Sequence, residues 1–221
     1  HWPYDSDPED VARALQQSGL QMLCLNTAPG NLAVGDFGLA ALPGRDAEAR
    51  AGIDAALSYA RAIECRRVHV MAGKSTGQAA LDCFCANLRY ACDAAADSGI
   101  EVLIEPLNGY DLPGYFLTTT DQALQVMDQV GAANLKLMFD CYHVQLSEGD
   151  ISNRLQRLLP RIGHIQIAAV PDRGAPDHGE LHYPHVFKLL QDLGHDLPLG
   201  AEYRPRGPVE AALGWMTAAG G

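Results

Sequence analysis

The chain has 221 residues, 48% of them hydrophobic, enough to bury one sizeable core without disulfide or metal staples. Sixteen Lys and Arg against 27 Asp and Glu leave a formal charge of −11 with no block of like charge, which argues against nucleic acid or an anionic membrane as partner. No signal-peptide pattern or bilayer-length apolar run is visible, and the six cysteines form no CxxC pair, so buried free thiols in a soluble cytoplasmic protein are expected.

In chain order, His1-Trp2-Pro3-Tyr4-Asp5 reads like the loop that follows a strand, and a capped helix is predicted from Pro8 to Ser18. Strand-like runs follow at residues 21–26, 67–71, 101–105, 135–140, 164–168 and 197–203. Between them, residues 46–62, 78–98, 119–130, 153–160 and 183–193 carry apolar positions at helical spacing. N-cap candidates precede several of these, such as Thr119 or Thr120 ahead of Asp121, and Asp150 or Ser152. Strand and helix alternate without a linker, so a parallel sheet with right-handed crossovers is expected. Six strands are visible where a closed (β/α)8 barrel needs eight. The expected fold is α/β, a TIM-type (β/α)8 barrel with its first one to two β/α units missing, and residues 1–221 form a single partial barrel domain.

Four of the runs end in a group that can ligate a hard metal: Val102-Leu103-Ile104-Glu105, Leu137-Met138-Phe139-Asp140, His164-Ile165-Gln166 and Leu199-Gly200-Ala201-Glu202. Steps of 35, 26 and 36 residues separate them, each near one strand-plus-helix repeat of about 30 residues. Parallel strands would bring Glu105, Asp140, Gln166 and Glu202 to one end of the barrel, the face on which such barrels do chemistry. Three carboxylates and an amide make an oxygen-only set suited to Mg²⁺ or Mn²⁺. Taken singly the residues are ambiguous, since Asp140 can simply cap a helix and Glu105 can be a strand-end carboxylate. Gln166 is sharper, because an amide between Ile165 and Ile167 in a buried strand needs a partner. Glu202, in an apolar strand, is sharper still.

Several segments carry a family resemblance. They are Asn26-Thr27-Ala28-Pro29-Gly30, Ala41-Leu42-Pro43-Gly44-Arg45, Val68-His69-Val70-Met71-Ala72-Gly73, the pair Asp140 and His143, His164-Ile165-Gln166-Ile167-Ala168, Pro171-Asp172-Arg173 and Glu202-Tyr203-x-Pro205-x-Gly207. In that order they resemble the hydroxypyruvate isomerase family of xylose-isomerase-like (β/α)8 barrels. The resemblance runs from Pro3 to Trp215; at the front, the family's first strand, first helix and most of its second strand have no counterpart. It implies interconversion of hydroxypyruvate and tartronate semialdehyde, or of a related 2-oxo acid such as 2-dehydrotetronate. By motif match it also implies Glu105 and Glu202 as the acid/base pair and Glu105, Asp140, Gln166 and Glu202 as the ligands of the divalent metal.

An aldose–ketose shift moves a proton between adjacent carbons through an enediol, so one base takes a carbon-bound proton while an acid serves the neighbouring carbon. Two carboxylates on opposite sides of a flat intermediate can alternate in those roles, and a divalent ion on the substrate oxygens acidifies the C–H. Four further residues are expected substrate contacts. His69 alternates with valines that would pack outward, His143 lies just past a strand end, and Asn26 closes the first visible strand. Arg173 sits on a polar loop at the active face, where its fork could clamp a carboxylate. Glycines 30, 35, 38 and 44 lack GxGxxG spacing and read as turns, not as a dinucleotide site. Two other readings fit the same residues: a keto-sugar epimerase or dehydratase on this barrel, and a non-catalytic binding protein built on a damaged one. The partner expected is a small 2-oxo acid or sugar acid, and a homo-oligomer is compatible with it.

Overall fold

The structure, a computed structural model, describes residues 2–218; His1 and residues 219–221 lie outside the described residues. The first element, α1 (Pro8–Ser18), starts at Asp7, whose carboxylate accepts the Glu9 N–H at 2.8 Å, and stops at Gly19 in the left-handed conformation. There follow β1 (Leu25–Asn26), α2 (Asp46–Ala62), β2 (Arg67–His69), α3 (Gln78–Ala95), β3 (Glu101–Ile104) and α4 (Thr120–Val130). The second half holds β4 (Leu135–Asp140), α5 (Cys141–Ser147), α6 (Ile151–Leu158), β5 (Ile162–Ile167), α7 (Tyr183–Asp192), β6 (Gly200–Ala201) and α8 (Trp215–Ala218). Every neighbouring strand pair is parallel and the sheet order is the chain order, β1 to β6, as the alternation of elements predicts.

Period-two alternation along the strands separates two faces. Val68 and Val70, Val102 and Ile104, Leu137 and Phe139, and Ile165 and Ile167 belong to the main core, together with Ile53 and Leu57 of α2, Phe84 and Leu88 of α3, Val126 of α4, Leu155 of α6 and Val186 of α7. Each such side chain contributes about 1.5–3 kcal/mol by leaving water. The intervening residues, His69, Leu103, Met138, Asp140, His164 and Gln166, therefore face the other side. That side is the interior of the curl: Asn26 at one edge and Glu202 beyond the other line a single cavity.

The sheet is open, with β1 and β6 each paired on one side only among the described residues. Its edge strands are shorter than expected: 21–26 shrinks to Leu25–Asn26 and 197–203 to Gly200–Ala201. A strand with one neighbour has one ladder to define it, so its ends drop out of register first. The predicted helix at 153–160 begins earlier, at Ile151, and finishes as a 3₁₀ turn at Leu159–Arg161. Thr119 caps α4 by accepting the Gln122 N–H, whereas Asp150, in the left-handed conformation at φ 54°, makes no capping bond to the backbone of α6. The seven-residue α5 is absent from the sequence reading because Cys141, Tyr142 and Val144 prolong the apolar run of β4 and span under two turns, too little for a helical period to show.

Candidate active site

The C-terminal ends of the strands present their side chains to one cavity of about 350 Å³. Asn26 and His69 pair across β1 and β2, Asp140 and Gln166 pair across β4 and β5, and Gln166 in turn faces Gly200 of β6. A Cβ at Gly200 would stand 2.8 Å from His164 Nε2 and 3.3 Å from Gln166 Cγ, so only glycine lets β6 close on these two side chains. Glu105 and Glu202 follow directly on β3 and β6. Trp2, Phe37, Leu107 and Leu112 supply an apolar wall.

Three oxygens stand out: Glu105 Oε1, Asp140 Oδ2 and Gln166 Oε1 are buried and have no hydrogen-bond partner. They come from three successive strands. Asp140 splits its work, since its Oδ1 accepts the Tyr142 N–H at 2.9 Å and caps α5 while Oδ2 is left without a hydrogen bond, 3.7 Å from His143 Nε2 and 3.6 Å from Arg173 Nη2. Ligand atoms of Glu105, Asp140 and His143 lie within 4.8 Å of one another. Glu202 is not in that cluster; its carboxylate accepts from Arg173 Nη2 at 2.8 Å. Burial, with the charges of Asp140 and Glu202 added, pushes the Glu105 carboxyl well above the ordinary carboxylate range. Burial also raises Asp140, to about 7, against the pull of Arg173.

The two histidines are set in opposite tautomers. His69 Nδ1 donates to Asn26 Oδ1 at 3.2 Å, which leaves Nε2 a buried acceptor without a partner. His143 Nδ1 accepts from the Asn108 backbone N–H at 3.1 Å and from Asn108 Nδ2 at 2.7 Å, so its proton sits on Nε2, 3.7 Å from Asp140 Oδ2. Burial holds both imidazoles down to about 3, so they are neutral at physiological pH. Their approaches to Glu105 at 3.6 Å and to Asp140 are therefore not ion pairs.

Arg173 reaches the site from a backbone at φ 54°, a left-handed conformation that is costly for any residue with a Cβ and is held by its N–H on the Ala169 carbonyl. Its guanidinium lies 2.8 Å from Glu202, 3.6 Å from Asp140 and 3.9 Å from Asp111, and 5.0 Å above the Tyr142 ring. The expected carboxylate clamp thus holds carboxylates of the protein itself.

The parallel strand order and this set of groups meet a known pattern. The model of the xylose isomerase-like TIM barrel matches residues 1–219. The chain belongs to that family. A 2-oxo-tetronate isomerase of Cupriavidus necator is 47% identical, over 97% of this chain and 84% of its own length. The hydroxypyruvate isomerase of Escherichia coli K12 is 39% identical, over 97% and 85%. A crystal structure from Brucella melitensis described as an AP endonuclease of family 2 superposes with a TM-score of 0.95 at 40% identity, over 98% of this chain and 85% of that one.

Of the eight residues expected at the site of this xylose isomerase-like chain, Asn26, His69, Glu105, His143, Arg173 and Glu202 line the cavity; Asp140 does not line it but lies beside Glu105 and His143, and Gln166 stands next to Asp140 across β4 and β5. Three further residues, which no sequence motif marks as functional, belong to the site. Asn108 fixes His143 from a loop, a contact that no spacing encodes. Asp111 and Arg204 complete the lining. Arg204 stands two residues after Glu202 in an extended segment, and that period-two step is the signal that could have found it.

Proposed function

We propose that this chain is a metal-dependent isomerase that interconverts hydroxypyruvate and tartronate semialdehyde, or a closely related 2-oxo acid such as 2-dehydrotetronate. The observation that carries the reading is the set of three unpartnered buried oxygens of Glu105, Asp140 and Gln166 at the ends of β3, β4 and β5, with Glu202 following β6 and lining the same cavity as Glu105. An unsatisfied buried acceptor is costly, and one cation reached by all three would satisfy them together. The names of the two relatives support the substrate class.

The donor set fits a hard divalent ion. Glu105, Asp140, Gln166 and Glu202 would hold Mg²⁺ or Mn²⁺ through oxygen alone. When bound, the ion supplies Lewis acidity to the carbonyl and hydroxyl oxygens of the substrate. Glu105 and Glu202 flank the cavity from non-neighbouring strands, so one carboxylate takes the proton from carbon on one side while the other delivers a proton to the adjacent carbon. His69 Nε2 accepts from a substrate hydroxyl, and His143 Nε2–H donates to a substrate oxygen. Asn26 orients His69, and Arg173 offsets the crowded negative charge while lining the substrate space.

Part of the same reading is that residues 1–221 are one domain of an eight-stranded barrel whose closing strands lie outside them. It is supported by the greater length of the relatives and by two cavities at the open edges. One, about 710 Å³, adjoins the start of β1; the other, about 340 Å³, is walled by Phe187, Leu199 and Trp215 near β6. The free state of all six cysteines favours a reducing cytoplasm, and the −11 charge disfavours nucleic acid. No helix is long and apolar enough to cross a membrane among the described residues.

The test is proton exchange with hydroxypyruvate in deuterated water, with Mg²⁺, with Mn²⁺ and with chelator. Deuterium should enter the substrate carbon only when an ion is supplied. Exchange of a neutral keto-sugar in place of the acid would move the assignment to an epimerase, and no exchange with any carbonyl substrate would remove the catalytic reading.

A further inference from the structure

The cavity lining contains two guanidinium groups, Arg173 and Arg204, and two imidazoles, His69 and His143. The imidazoles are uncharged, and Arg173 is engaged by Glu202, Asp140 and Asp111. Arg204 differs. Its backbone N–H donates to the Arg173 carbonyl at 2.7 Å, but its guanidinium has no hydrogen bond or ion pair among the described residues.

The backbone explains why this side chain belongs to the cavity. Glu202 N–H donates to the Ile167 carbonyl at 3.2 Å and Arg204 N–H to the Arg173 carbonyl, so residues 202 and 204 turn the same edge toward the neighbouring segment. In extended chain, residues two apart that share this edge also share a side-chain face. Arg204 is thus carried to the site by the same strand extension that delivers Glu202.

We propose that Arg204 anchors the carboxylate of the substrate and so selects an acid over a neutral sugar, a proposal that takes its substrate class from the isomerase reading above. The site already gathers Glu105, Asp111, Asp140 and Glu202, and an anionic substrate entering it meets their repulsion. Arg173 is spent on three of those carboxylates. The uncommitted guanidinium at the mouth is the group placed to draw in and hold a further one, and its planar fork matches the two oxygens of a carboxylate. A neutral keto-sugar would gain nothing from it.

The experiment compares the parent chain with Arg204→Gln, Arg204→Lys and the control Arg206→Gln, an exposed arginine of the same segment that pairs with Asp172. Steady-state kinetics with hydroxypyruvate and Mg²⁺ should show KM rising about 10–100-fold in Arg204→Gln, with kcat falling far less, and a partial return in Arg204→Lys. Calorimetry with D-glycerate, an inert three-carbon acid, should show the same loss of affinity, while weak binding of glycerol is alike in all four proteins. The glycerate arm decides the anchor even if hydroxypyruvate is not turned over, an outcome that would sink the isomerase reading alone. Glycerate affinity unchanged in Arg204→Gln, or no glycerate binding to the parent, overturns the anchor.

Discussion

Asp140 shows how one carboxylate can serve the fold and the site together, because its two oxygens look in different directions. Oδ1 fixes the first turn of α5 and thereby the position of His143, while Oδ2 is left for a ligand. The chemistry also fixes a pH dependence. A divalent ion binds the ionised carboxylates, so it must displace the protons that burial retains on Glu105 and on Asp140, which is raised to about 7. Mn²⁺ affinity measured by calorimetry is therefore expected to climb as pH rises through about 7; a profile flat across that range would exclude Asp140 as a ligand. The acid/base roles are tested separately. Glu105→Gln or Glu202→Gln keeps an oxygen but removes the proton acceptor, so turnover should fall by a factor on the order of 10²–10⁴ while part of the metal binding survives. His143→Gln should cost less. A Glu202→Gln chain with near-normal isomerisation rules this mechanism out.

At the scale of elements, the site depends on how helices clamp the strand ends. Tyr183, at the start of α7 and 1% exposed, donates its hydroxyl proton to the Ala168 carbonyl at 2.7 Å and accepts the Ala168 N–H at 3.1 Å. One side chain thus satisfies both backbone groups just beyond β5, where the ladder has ended and Gln166 needs a fixed backbone. Tyr183→Phe preserves shape and leaves both groups buried without a partner, so the chain should lose about 1–3 kcal/mol of stability in urea unfolding. A loss below about 0.5 kcal/mol would mean that water takes over the bonds. Element identity was mostly legible in the sequence: long runs such as Asp46–Ala62 and Leu135–Asp140 declare their period. The short α5 and the ends of β1 and β6 were not, because one turn or one ladder is set by neighbours more than by its own residues.

For the molecule as a whole, the open edges set the expectation. Strands β1 and β6 leave backbone groups and apolar walls beside the two edge cavities. A chain extended to the length of the relatives should melt higher and bind Mn²⁺ more tightly than residues 1–221; equal melting and equal affinity would show that eight strands are not required. Sequence alone determined the parallel α/β order and put Glu105, Asp140, Gln166 and Glu202 at or just past the C-terminal ends of their strands, because period-two alternation and one-repeat spacing are local patterns that survive in one dimension. It also placed His69 on the inner face, from the valines on either side. Only the tertiary structure decided that Glu202 rests on Arg173, that Asn108 sets the tautomer of His143, and that Arg204 is the guanidinium left uncommitted. Those facts are pairings between segments 29 to 35 residues apart or the absence of a pairing, and which charge meets which depends on distances that no spacing in the chain encodes.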